Sequence, residues 1–154
     1  AQAWSLDAEF FGDMLVWAAR THEIGLDVSH SQYHKHGDYI LRHGDLAGFS
    51  REEQQVLATL VRAHRRKFPK GVFKDLPADW QDAAARLAVL LRLAVILHRA
   101  RSDEPLPVVD CQADGPTLEL RFPNDWLDAR PLLATDLQEE AELLASAGFQ
   151  LRSA

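Results

Sequence analysis

The sequence predicts an α+β chain. A mainly helical body should fill residues 1–103, and a small antiparallel α+β unit should fill residues 104–154. Three observations predict this. Apolar residues recur at three- and four-residue steps through the first hundred positions. The stretch from Ala83 to Leu97 is apolar on almost every side, the mark of a buried central helix. Beyond Glu104-Pro-Leu-Pro107 the period changes from helical to alternating.

The elements follow in order. Ser5 reads as an N-cap, and Phe10, Met14, Trp17 and Thr21 share one face of the helix it opens. Gly25 reads as a left-handed cap that ends it near His22. A second helix is predicted from Ser31 to His43, with Gly44 just past its end. Ser50-Arg-Glu-Glu53 is a capping box. The helix it opens should turn Val56, Leu57, Leu60 and Val61 inward and stop before Pro69. Asp79 reads as the cap of the long buried helix, which should reach Arg101.

In the second unit Val109, Cys111 and Ala113 should form one face of a strand. Asp114-Gly115 is a turn signal, and Leu118, Leu120 and Phe122 belong to the partner strand. Asn124 to Ala129 reads as a short helix. Thr135-x-x-Gln138 reads as a second capping box, opening a helix with Leu137, Ala141 and Leu144 on one face. Gly148 should end it, and Phe149 to Arg152 should be a last strand. Trp4, Trp17, Trp80 and Trp126 read as packing anchors.

Composition narrows the function classes. The 154 residues are 47% apolar, enough for a packed core. A net charge of −6 argues against nonspecific nucleic-acid binding by the whole surface, though a local basic patch is compatible with it. One cysteine, Cys111, permits no internal disulfide and points to a reducing compartment, the cytoplasm. The longest apolar run is interrupted by Arg92 and is too short to span a bilayer, so no membrane partner is expected. The only Met is Met14, which suggests a natural start upstream of Ala1.

Two constellations carry chemistry. Arg62, Arg65, Arg66, Lys67, Lys70 and Lys74 place six cations in thirteen residues that hold no acid, out of 17 Lys and Arg in the chain. Arginine grips phosphate oxygens bidentately and lysine acts as a mobile point charge, so this run suits a polyanion. It would equally complement a helix C-terminal dipole and keep a loop solvated. His64 lies inside the run. The other constellation is a histidine cluster: His22, His30, His34, His36 and His43 are five of the seven histidines. His30 and His34 would share a helix face if the helix has already begun. They suit either a polar helix junction or contact with phosphate oxygens.

The stretch HEIGLDVSHSQYHKHGDYILRHGDLAGFSREEQQVLATLVRAHRRKFP, followed in order by LLRLAVILHRAR and LELRFPNDWL, resembles the C-terminal region of the exopolyphosphatase / guanosine pentaphosphate phosphohydrolase family. The resemblance covers nearly the whole chain. It implies a helical HD-like domain followed by the small α+β domain. It also implies a larger enzyme, whose own N-terminal actin-like domains would carry the catalytic residues and bind Mg²⁺. This chain itself would hold no cofactor and no catalytic residue. It would support a homodimer and line a basic channel for inorganic polyphosphate or guanosine pentaphosphate, with no specific nucleic acid as partner. Arg62, His64, Arg65, Arg66, Lys67, Lys70, His34 and His36 are the residues expected on that channel. Arg99 and Arg101 are weaker candidates.

The alternative is an autonomous HD-type metal-dependent phosphohydrolase. Such a centre needs an early histidine, an adjacent His-Asp pair and a late aspartate. Here His22 is followed by Glu23, which carries a longer arm. The late aspartate should fall near Ile96, where the sequence has only Val95-Ile96-Leu97. His22 and Glu23 therefore read as a degenerate pair that fixes a helix junction. A purely structural dimerisation module is a third reading.

Overall fold

In the computed structural model the structure describes Trp4, residues 9–99 and residues 104–154. The chain divides into two compact units, Leu6–Arg92 and Leu93–Ala154, the second joined by Trp4. The class is α+β.

The first unit is helical. Helix α1 covers Phe10–Thr21, α2 covers Tyr33–His43 and α3 covers Arg51–Ala63. Helix α4 covers Ala78–His98 and runs past the boundary of the unit. Val56, Leu57, Leu60 and Val61 of α3 are all buried, as their spacing predicts. They join Met14, Ala18, Leu41, Leu87 and Leu91 in one core.

The Ser50 box forms as read. The Ser50 hydroxyl accepts from the Glu53 N–H at 3.1 Å, and the Ser50 N–H donates to the Glu53 carboxylate at 3.4 Å. Gln54, one turn into α3, closes the end of α2. Its amide donates to the carbonyls of Leu41 at 2.7 Å and Gly44 at 2.6 Å, groups that a helix end leaves unpaired.

Other local readings are corrected. Ser5 and Arg101 lie outside the described residues. Gly25 is not a left-handed cap. It belongs to a 3-10 turn, Ile24–Asp27, and its role is close approach. A Cβ there would stand 1.9 Å from the Tyr33 carbonyl oxygen. Helix α2 starts at Tyr33, so His30 precedes it and shares no helix face with His34. Asp79 lies within the first turn of α4, which begins one residue earlier, directly after Pro77. A carboxylate there still complements the helix dipole.

The second unit is a three-stranded sheet with one helix. Strand β1 (Asp110–Asp114) pairs antiparallel with β2 (Thr117–Arg121) through a turn in which Gly115 has φ +55°. Strand β3 (Gln150–Ser153) pairs parallel with β2, so the sheet is mixed rather than wholly antiparallel. A parallel pair needs a crossover, and helix α5 (Pro131–Ala145) supplies it. Leu118, Leu120, Leu137 and Leu144 form the core. Gly148, at φ +86°, turns the chain from α5 into β3.

Three readings fail in this unit. Thr135 does not open α5, because Pro131 sits at its start with φ already set for a helix. The Thr135 hydroxyl instead donates to the Pro131 carbonyl within the helix. Asn124 to Ala129 is a series of turns, not a helix. Val109 falls outside β1, which begins at Asp110, and Cys111 on this edge strand is exposed.

Candidate functional site

The first unit contains a hollow of about 510 Å³. It lies where the start of α2 meets the chain that leaves α3. His30, Ser31, Gln32, His34 and Lys35 line it from one side, and Arg62, Arg66, Lys67 and Pro69 from the other. Four of these residues are cations, and none of the described lining residues is acidic.

The segment leaving α3 is shaped by a residue from α4. Arg92 is 2% exposed. Its guanidinium donates to the carbonyls of Ala63 at 2.7 Å and Arg66 at 2.6 Å. Those carbonyls lie at and just past the end of α3, where helical partners run out. Arg66 itself takes a left-handed φ of +64°. The sequence offers no sign of this arrangement, since Arg92 reads only as an interruption in an apolar run.

The cations differ in how free they are. Arg62 donates to the Asp38 carboxylate at 3.2 Å, and Asp38 also holds Arg42 at 2.8 Å. Asp38 therefore tempers Arg62 from a buried position on α2. Lys35, Arg66 and Lys67 are exposed at the rim. Arg65 is half-buried, with its guanidinium 4.2 Å from the centre of the Tyr33 ring. Its Nη1 is buried without a hydrogen-bond partner among the described residues.

The histidines separate into distinct roles. His34 is 7% exposed, and its Nδ1 has no hydrogen-bond partner among the described residues. Burial, reinforced by Arg65, Lys35, Arg62 and Arg66, pushes its imidazole down to about 4, so the ring is neutral at pH 7. His64 is 3% exposed and packs against the rings of His22 and Tyr33. Its Nδ1–H donates to the Val61 carbonyl, which leaves Nε2 as acceptor for the Tyr33 hydroxyl at 3.5 Å. Burial pushes His64 down to about 3. His64 thus supports the segment from within and does not line the hollow. His36 is half-buried on α2, and Lys70 is exposed in the 3-10 turn Lys70–Asp75. Neither lines the hollow. In the second unit Arg99 lies 3.6 Å from Asp136.

His22 and Glu23 stand at the junction of α1 and the following turn. Their side chains are 3.8 Å apart, and His22 Nδ1–H donates to the Ala19 carbonyl at 2.6 Å. Among the described residues no group of three or more His, Cys, Asp or Glu is placed to hold a metal ion.

A sequence model of the Ppx/GppA phosphatase family, domain III, matches residues 1–141. The chain belongs to this family. Two relatives carry the name guanosine-5'-triphosphate,3'-diphosphate pyrophosphatase. The protein from Pseudoalteromonas translucida (strain TAC 125) is 38% identical over 97% of this chain. The one from Pseudoalteromonas atlantica (strain T6c / ATCC BAA-1087) is 36% identical over 82% of it. The matched regions make up 30% and 25% of those relatives' own lengths, so the Ppx/GppA chain described here corresponds to a minor part of each.

Of the residues singled out in this Ppx/GppA sequence, the hollow gathers His30, His34, Arg62, Arg66 and Lys67. It adds Lys35, Ser31 and Gln32, which no motif marks. Asp38 had a readable signal, because its carboxylate lies four positions before Arg42 on one helix face. No helix among the described residues is long and apolar enough to cross a membrane.

Proposed function

We propose that this domain III is a non-catalytic, polyanion-binding part of a phosphohydrolase acting on guanosine pentaphosphate or inorganic polyphosphate. The observation that carries the reading is the hollow, with Lys35, Arg62, Arg66 and Lys67 converging and no acid among its described lining residues. Cations spaced along a groove bind a phosphate chain by releasing its counterions. The names of the Pseudoalteromonas relatives favour a guanosine nucleotide as the substrate of the whole enzyme. Its hydrolytic centre, with Mg²⁺, we assign to N-terminal domains outside this sequence.

A role in homodimerisation and a cytoplasmic setting belong to the same proposal. Val16, Trp17 and Val28 are apolar and exposed on α1 and just beyond it, a surface that a second copy could cover.

A mobility-shift titration of the 154-residue chain with long-chain polyphosphate tests the binding role. The shift should occur at low salt and be lost in the Arg66→Ala, Lys67→Ala double variant. Phosphate release from polyphosphate or guanosine pentaphosphate by the chain alone would contradict a non-catalytic role.

A further inference from the structure

The deepest side chain of the hollow asks for a more specific ligand than a diffuse polyanion. His34 lines the hollow, is 7% exposed, and has a ring nitrogen with no hydrogen-bond partner among the described residues. Leaving such a group unpaired in a folded interior costs free energy, which a ligand oxygen would recover. A second feature converges on the same place. Helix α2 begins at Tyr33, and no side chain caps its first turn. Ser31, Gln32, His34 and Lys35, all at this helix start, line the hollow. The positive end of α2 therefore opens on it. Arg65 exerts the strongest charge effect on His34 and holds its own unpartnered Nη1.

We propose that His34 and the first turn of α2 form a seat for one terminal phosphoryl group, so that the hollow distinguishes a phosphate chain end from a chain interior. The inference rests on the reading of the hollow as a phosphate site. A terminal phosphoryl presents three non-bridging oxygens and up to about two negative charges. An interior unit presents two such oxygens, and the chain leaves it in both directions. Only the end group can insert one oxygen as far as a buried nitrogen. There the neutral imidazole donates through Nδ1–H and the phosphoryl oxygen accepts. Lys35, Arg66 and Lys67, exposed at the rim, hold the phosphates that follow.

The test compares linear tripolyphosphate with cyclic tetrametaphosphate, which has similar charge but no chain end. Calorimetric titration of the 154-residue chain should show the linear form binding about tenfold more tightly, the effect of one hydrogen bond to a charged group. His34→Phe should bring the two affinities together, through the loss of the linear form's advantage. His34→Gln, which keeps a donor, should retain part of the preference. Circular dichroism melts of both variants identify any loss of fold, and the Gln variant decides if the Phe variant does not fold. Inorganic phosphate competing as well as tripolyphosphate would support the seat with the free anion as occupant. Equal binding of linear and cyclic forms by the wild type would overturn the seat, as would a preference that survives in His34→Phe. If binding stays weak for every phosphate and is indifferent to Arg66 and Lys67, the hollow itself is rejected. Equal linear and cyclic binding that still depends on those two residues rejects only the seat.

Discussion

The Arg92 guanidinium donates to the Arg66 carbonyl at 2.6 Å, so a buried residue of α4 holds the backbone where Arg66 and Lys67 are exposed. The same side chain satisfies Ala63 at the end of α3. Removing it leaves two carbonyls short of partners in a packed region. Arg92→Leu should therefore lower stability by on the order of 2–4 kcal/mol, read as the urea unfolding midpoint. It should also weaken polyphosphate binding several-fold, although Arg92 does not line the hollow. Arg92→Lys should rescue only part, because an ammonium cannot span both carbonyls as a planar fork does.

Gly25 gives a steric prediction. A Cβ at this position would meet the Tyr33 carbonyl oxygen at 1.9 Å and the Gly37 nitrogen at 2.6 Å. These are backbone atoms and cannot swing aside. Gly25→Ala should cost about 1–3 kcal/mol or more in a thermal or urea melt. Gly12, inside α1 with nothing within 4 Å of an added methyl, is the control. Gly12→Ala should raise stability by about 0.5–1 kcal/mol.

Acid should destabilise the first unit. His64 is held down to about 3 and His34 to about 4, against an ordinary value of 6.5. Below 6.5 the unfolded chain takes up protons that the folded chain refuses. The stability contributed by each neutral ring is thus complete above 6.5. It is lost as pH falls from 6.5 towards 4 for His34 and towards 3 for His64. For the deeply buried His64 the slope should approach roughly 1.4 kcal/mol per pH unit. Urea midpoints at pH 7 and pH 5 check this. His64→Gln should flatten the dependence, and an unchanged slope would remove His64 as its source.

Asp38 sets how much charge Arg62 offers. Its carboxylate bridges Arg42 and Arg62 from a position only 10% exposed. Asp38→Asn should lower stability by on the order of 1–3 kcal/mol. It should also tighten polyphosphate binding, since Arg62 would no longer be neutralised at close range. Weaker binding in a folded Asp38→Asn protein would contradict the charge assignment.

How much of this was legible in the residues depends on how local the causes are. Ser50 and Glu53 cap α3 through atoms three residues apart, so their box could be read directly. The inward face of α3 followed from its period alone. The similar Thr135 pattern misled because Pro131, four residues earlier, already starts the helix. The parallel pairing of β3 with β2 depends on Thr117 meeting Gln150, a partnership that no local period encodes. At the site, the charge run from Arg62 to Lys67 pointed to the right segment. It could not separate exposed Arg66 and Lys67 from Arg62, which is tied to Asp38. Nor could it separate His34, which keeps an unpartnered nitrogen, from His64, whose nitrogens are engaged. Those distinctions arise where α2 lies against the end of α3, and they exist only in the folded chain.

The salt dependence of polyphosphate affinity tests the central claim most directly. If Lys35, Arg62, Arg66 and Lys67 engage the chain, affinity measured by fluorescence anisotropy should fall roughly fifty- to 150-fold between about 50 and 200 mM salt. In the Arg66→Ala, Lys67→Ala variant the logarithmic slope should shrink by about half. Undetectable binding at low salt would contradict the account, as would a slope identical in wild type and variant.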